Sequence, residues 1–195
     1  VHYLNQFYAG KGGEAFAGTA PYKIDGSVGP GRLLEQTSKG KLQIVGTVVC
    51  GDNYFVEEES AAEQVFELIK SYQPEGFIAG PAFLASRYGE AWTEICKKVK
   101  EKLNIPVITG LAPEHPSVDR FRKEIPIFRT GTSGADMKNS MPRMGEILLK
   151  LLQSEELSPD EKNQLYKRGL KENVILEKTA AQRAVEMLLA KFRGE

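Results

Sequence analysis

The sequence is poor in the residues with which most enzymes do chemistry. Only two cysteines and two histidines occur in 195 residues. Cys50 and Cys96 are too few for a disulfide framework and stand at no metal-ligand spacing. Such usage fits a reducing, cytoplasmic compartment. His2 and His115 have no partner at ligand spacing. Lys+Arg and Asp+Glu number 26 each, so no basic surplus points to nucleic acid or to an anionic membrane surface. No apolar run approaches the ~20 residues of a spanning helix. The opening VHYLNQFY has no charged n-region of a signal peptide, and the chain begins at Val1 rather than Met, as a trimmed sequence would. GxGxxG, the P-loop GK[ST] and a hydrolase triad are missing. A flavin or nucleotide site would therefore rest on fold analogy alone. Internal repeats and low-complexity tracts are absent too.

What is present is regular alternation. With 41% hydrophobic and 27% charged residues, the composition is that of a globular protein, and the length suits one domain with an appendage. Residues 1–8 read as a strand, and a Gly-rich, structureless loop follows over Ala9–Gly31. Gly29-Pro30-Gly31 then opens a short helix. Strand Lys41–Cys50 precedes helix Glu57–Tyr72, which has an apolar face of Val65, Phe66, Leu68 and Ile69. Strand Gly76–Ala79, helix Arg87–Leu103, strand Val107–Leu111, a short helical stretch Ser117–Arg122 and strand Ile125–Thr130 continue the pattern. A helix is expected from about Ala135 to Leu152, with Pro142 a flaw in it. Ser154–Asp160 reads as a polar linker and Lys178–Arg193 as a last helix. The alternation predicts an α/β, three-layer αβα domain over 1–153 with a mostly parallel sheet, flavodoxin-like or Rossmann-like. Residues 154–195 form the linker and terminal helix leading toward a second domain.

Right-handed crossovers put the C-terminal ends of all parallel strands on one side, where ligands of such folds bind. Asn5-Gln6, Cys50-Gly51-Asp52-Asn53, Gly80-Pro81-Ala82 and Thr109-Gly110 should meet there. CGDNYF is either a strand-to-helix turn over a buried thiol, or a crevice with Cys50, Asp52 and Asn53 as ligand-binding groups. No histidine stands near Cys50 in sequence to make it a nucleophile. In AGPAFLASRYG, Gly80 and Pro81 would let a ligand approach the backbone, and Arg87 could hold a carboxylate in a forked contact; a tight loop with a solvated arginine is the alternative. VGPGRLLEQ offers amides and Arg32 to an anion, or is a plain turn. Cys96, Trp92 and Phe66 read as core, and His115, between two prolines, as exposed loop.

VHYLNQFYAGKGGE, VGPGRLLEQ, IVGTVVCGDNYF, FIAGPAFLASRYGEA, IPVITGL and RGLKENVILEKTAAQRAVEMLL together resemble the N-terminal half of the selenoprotein B subunit of glycine, sarcosine and betaine reductases. The match runs in order along nearly the whole chain. The resemblance implies an amino-acid reductase complex of Stickland-type anaerobes. Its pyruvoyl-containing subunit activates the amine, a selenolate displaces that amine, and the carboxymethyl group passes to selenoprotein A. Protein C releases acetyl phosphate, and thioredoxin restores the reduced selenoprotein. It implies no cofactor on this chain, the pyruvoyl group being carried by the partner subunit, and leaves homo-oligomerisation open. The family's selenocysteine belongs to a C-terminal half that these residues do not include, and Cys50 is no replacement for it, because CGDNYF is part of the N-terminal pattern. The chain is thus either a fragment or a short family member. In both cases reductase activity is not expected of it alone, and substrate recognition by Asn5, Gln6, Cys50, Asp52, Asn53, Gly80, Pro81, Arg87 and Arg32 is what could remain. The rival expectation is a non-catalytic small-anion-binding or assembly module of the same fold.

Overall fold

The structure, a computed structural model, describes residues 1–169 and 177–194. Residues 170–176, within the RGLKENVILEKT stretch, lie outside the described residues.

Five strands are parallel: β1 (His2–Asn5), β3 (Gly46–Cys50), β4 (Phe77–Phe83), β5 (Val107–Leu111) and β6 (Ile127–Arg129). A sixth, β2 (Tyr22–Asp25), adds antiparallel to β3, and the sheet order is β2-β3-β1-β4-β5-β6. The parallel strands alone run 2-1-3-4-5 in chain order, the flavodoxin-like arrangement. The chain reverses its direction of sheet growth between β1 and β4, so the crevice at their C-terminal ends is the topological switch point. Strands β3, β4 and β5 are buried at every position, as strands covered on both faces must be, and they read as continuous apolar runs.

Helices α2 (Asp52–Glu57), α3 (Ala61–Lys70), α4 (Ser86–Leu103) and α5 (Ser117–Phe121) lie on one face, and α1 (Pro30–Thr37) and α6 (Met137–Leu152) on the other. On the first face Tyr3, Val48, Cys50, Phe77 and Ala79 pack against Val65, Ile69, Trp92, Ile95 and Val99. On the second, Ile78, Ile108 and Phe128 meet Leu34, Met141, Met144 and Leu148. Each fully buried Leu, Ile or Phe side chain contributes about 1.5–3 kcal/mol, so these two layers hold the domain together. Cys96, Trp92 and Phe66 are core, as the sequence predicts.

Several expectations need correction. The Ala9–Gly31 loop is not structureless: it contains a 3-10 turn (Glu14–Phe16) and the edge strand β2. The pattern YKID alternates half-buried and exposed residues, with Lys23 and Asp25 pointing outward as charged guards of a sheet edge. The helix expected over Glu57–Tyr72 is α3, Ala61–Lys70, and a separate short helix, α2, precedes it from Asp52; the strands expected over residues 1–8 and Lys41–Cys50 shorten to His2–Asn5 and Gly46–Cys50. Strand β4 continues through Gly80-Pro81 to Phe83, with a register shift between Ala79 and Phe83. Pro142 sits inside α6. The polar stretch after Ser154 ends in a short helix, α7 (Pro159–Gln164), started by a capping box in which the Ser158 and Glu161 side chains each accept the other's backbone N–H. Beyond it, Leu165 bridges to Phe128 and Tyr166 N donates to Ile127 O, so the chain lies along the β6 edge. His115 is buried rather than exposed. Its Nδ1 accepts from Ser117 N at 3.1 Å, which leaves the proton on Nε2, 3.3 Å from the Ala85 carbonyl. The last helix, α8, spans Ala180–Arg193.

Candidate functional site

The C-terminal ends of β1, β3 and β4 do meet, and side-chain hydrogen bonds join them. Asn5 ends β1 and donates from Nδ2 to Asp52 Oδ1 and Oδ2 at 3.4 and 3.3 Å, while its Oδ1 accepts from Tyr8 N at 2.9 Å. Gln6 Oε1 accepts from Asp52 N at 3.2 Å. One residue further along α2, Asn53 Oδ1 accepts from Arg87 Nη1 at the start of α4, and the same nitrogen lies 3.4 Å from Glu14 Oε1. Five of the nine nominated residues therefore make one connected cluster: Asn5, Gln6, Asp52, Asn53 and Arg87. The cluster is graded in depth. Asn5, Gln6 and Asp52 are 1, 1 and 5% exposed, whereas the Arg87 side chain is 54% exposed. A cavity of 270 Å³ lined by Arg87, Glu90, Pro116, Ser117 and Arg120 lies at the α4 and α5 starts.

The other four nominated residues are placed differently. Cys50 is core, in the layer of α3 and α4. Burial, and to a smaller extent the Asp52 charge, push its thiol up to about 12, against a hydrogen bond with Tyr3 that acts the other way. It is a neutral thiol at neutral pH and no nucleophile. Gly80 has φ +74, and a Cβ there would stand 2.1 Å from the Trp92 ring. The group that comes close to this glycine is thus the indole of the core. Pro81 packs beside Gly110, whose added Cβ would be 2.9 Å from Pro81 Cβ. Arg32 lies on α1, across the sheet from α4, and its Nε donates to Ser27 O at 3.4 Å.

The amides that sequence reading would offer to an anion are used by the chain itself. Gly51 N donates to Thr19 O at 2.8 Å, and Asn53 N and Tyr54 N to Ala17 O at 2.9 and 3.1 Å. With Asp52 N on Gln6, the start of α2 is closed by the loop that follows β1. Gly51 permits this approach, since a Cβ there would meet Ala17 O at 2.1 Å. Sequence reasoning missed this role of Ala17 and Thr19, which no motif marks. Gln6 Nε2 is buried and has no hydrogen-bond partner among the described residues. Turning the amide over does not help, because Asp52 N needs an acceptor there. Exposed apolar side chains stand on the connections leaving the same strand ends: Phe7 and Phe16 after β1, Val56 on α2, Leu84 after β4. A larger cavity of 460 Å³ opens at the opposite end of the sheet, among Leu34, Lys41, Ile44, Tyr72, Glu75 and Leu152, away from all of these groups. Among the described residues no group of His, Cys, Asp and Glu could hold a metal ion, and no helix is long and apolar enough to cross a membrane.

Comparison with known proteins agrees along the whole chain. The family model for glycine/sarcosine/betaine reductase selenoprotein B matches residues 1–195. The chain is 46% identical to a glycine reductase complex component B subunit gamma of Carboxydothermus hydrogenoformans. It is 43% identical to a sarcosine reductase complex component B subunit beta and 36% identical to a betaine reductase complex component B subunit beta, both of Peptoclostridium acidaminophilum. Each alignment takes in 100% of this chain and 45% of the relative, so the chain spans about half the length of the curated relatives it matches, their N-terminal half. No solved structure matches. The chain belongs to the glycine/sarcosine/betaine reductase selenoprotein B family.

Proposed function

We propose that these residues are the substrate-side part of component B of a cytoplasmic amino-acid reductase complex, acting on glycine, sarcosine, betaine or a related amine. The observation that carries the reading is the graded cluster at the switch point. Its buried end, Asn5-Gln6-Asp52, fixes the start of α2, and Asn53 then aims the Arg87 guanidinium outward. A planar, permanently charged fork suits the carboxylate that all three of these substrates share. Holding that carboxylate still supplies orientation, which carries much of the rate in a displacement. The nucleophile is outside this stretch: Cys50 is buried and protonated. Displacement falls to a selenolate of the remaining half, activation to the pyruvoyl group of a partner subunit, and onward transfer to selenoprotein A, protein C and thioredoxin.

The test uses the intact subunit in the reconstituted complex. Arg87→Ala should raise KM for the amine tenfold or more, and Arg87→Lys less, with the melting temperature unchanged. Unchanged KM in both, and in Asn53→Ala, would remove the assignment.

A second reading is an assembly module without catalytic duty. The exposed Phe7, Phe16, Val56 and Leu84 favour it, since apolar groups gathered at one end mark an interface. Under that reading Arg87→Ala leaves KM alone and Leu84→Asp releases a partner subunit from the complex.

A further inference from the structure

Helix α8 has the sequence of a packed helix and the surroundings of a free one. Ala181, Ala184, Val185, Leu188, Leu189 and Phe192 fall within one stripe at 100° per residue, with Arg183 and Glu186 opposite and Gln182 and Arg193 along its edge. Yet Val185, Met187, Leu188, Leu189 and Phe192 are 47–81% exposed. Every residue from Glu177 to Gly194 is exposed except Ala190, which is half-buried. Helix α6 makes the contrast: its comparable stripe, Met141, Met144, Ile147 and Leu148, is fully inside the core. Both ends of α8 are nevertheless locally encoded. Thr179 and Gln182 form a reciprocal capping box, and Gly194 closes the helix in the left-handed conformation. A 14-residue helix is marginal in water without a packed face, so such an element is built to be covered.

We propose that the apolar stripe of α8 packs against the part of the subunit that follows Glu195 in a chain of the relatives' length. The relatives are more than twice as long as this stretch, which is 45% of each, and α8 ends two residues before Glu195. The continuing chain leaves directly from the helix end, so the contact is intramolecular and its effective concentration high. A second copy is the poorer occupant. A stripe of six residues on one 14-residue helix falls well short of the roughly 20–30 residues a side of a standard interface. The contact is independent of the substrate reading: the Arg87 test succeeds or fails without it.

Hydrogen exchange on the intact subunit, made from its own gene, tests this. Amides of 184–193 should be protected as well as those of α6. In the Leu188→Ser/Phe192→Ser variant they should exchange tenfold faster or more, with α6 unchanged. Exchange of α8 near the free-peptide rate in the unaltered subunit would overturn the proposal, and this outcome does not depend on the variant folding. So would protection that disappears on dilution, which means a second copy, or that needs another component of the complex. A gene product ending at Glu195 would overturn it as well.

Discussion

Asn5 donates to both carboxylate oxygens of Asp52, at 3.4 and 3.3 Å, and so ties the end of β1 to the first residue of α2. Both residues are buried, and the same carboxamide also accepts from Tyr8 N. A carboxylate in such a place needs donors, because removing them leaves its desolvation cost uncompensated.

Asn5→Ala should therefore destabilise the domain by about 2–4 kcal/mol, more than the near-isosteric Asp52→Asn. A double-mutant cycle between the two in urea should return a coupling of about 1 kcal/mol or more. Strict additivity would mean that the bond contributes nothing to stability.

Gly80 and Trp92 support a second prediction. The glycine has φ +74, and its missing Cβ leaves room for the ring atoms Cε3 and Cζ3 of Trp92 at 2.1 Å. Gly80→Ala adds left-handed strain of about 1–2 kcal/mol to overpacking of about 1–3 kcal/mol. Trp92 is the only tryptophan, so its emission reports the site directly. A lowered melting temperature with a shifted emission maximum is expected; an unaltered spectrum would show that the ring moves aside freely.

How far the fold could be read from the sequence depended on periodicity. Strand β5 and helices α4 and α6 carry strong apolar patterns and appear within a few residues of their expected places, whereas β3 keeps its expected end but begins at Gly46 rather than Lys41. Strand β2 carries no such pattern: YKID has two charged residues in four, and only pairing with β3 makes it a strand. The break between α2 and α3 is equally hidden, because helix-compatible residues run through Glu57-Glu58-Glu59 and the loop around Ala17 decides where α2 begins. The clustering of Asn5, Gln6, Asp52 and Asn53 was legible from strand ends alone. Gly80 and Pro81 were misleading, since a glycine that admits a ligand and one that admits a core indole look the same in sequence. His115 was too: two flanking prolines suggest exposure, while its two backbone contacts, to Ala85 and Ser117, come from tertiary packing.

Gly89 and His115 give a third prediction. In a helix interior Gly→Ala ordinarily stabilises by about 1 kcal/mol. In α4 the new methyl would lie 2.3 Å from His115 Nε2 and 2.8 Å from Leu111 Cδ2. Gly89→Ala should therefore destabilise, by about 1–3 kcal/mol. In a His115→Ala background the clash with the ring is gone and Leu111 Cδ2 is the remaining close contact, so the same substitution should cost measurably less. Equal effects of Gly89→Ala in both backgrounds would show that His115 is not what fills the space.

The fourth prediction concerns acid. His2 is fully buried, and its Nε2 donates to Gly80 O at 2.9 Å. Burial is the larger effect and lowers its pKa to about 4, although the Gly80 bond acts in the opposite direction. An unfolded histidine titrates near ~6.5, so between that value and about 4 the unfolded chain binds a proton that the folded one refuses. Stability is then full above pH ~6.5 and falls as pH drops toward the folded value. From pH 7 to pH 5 the loss from this residue should be about 2 kcal/mol. His2→Gln retains a donor for Gly80 without a titrating ring, and urea unfolding of that variant should show a slope against pH shallower by this amount. If the two slopes coincide, His2 takes up its proton in the folded state and the buried, neutral imidazole is not what the fold enforces.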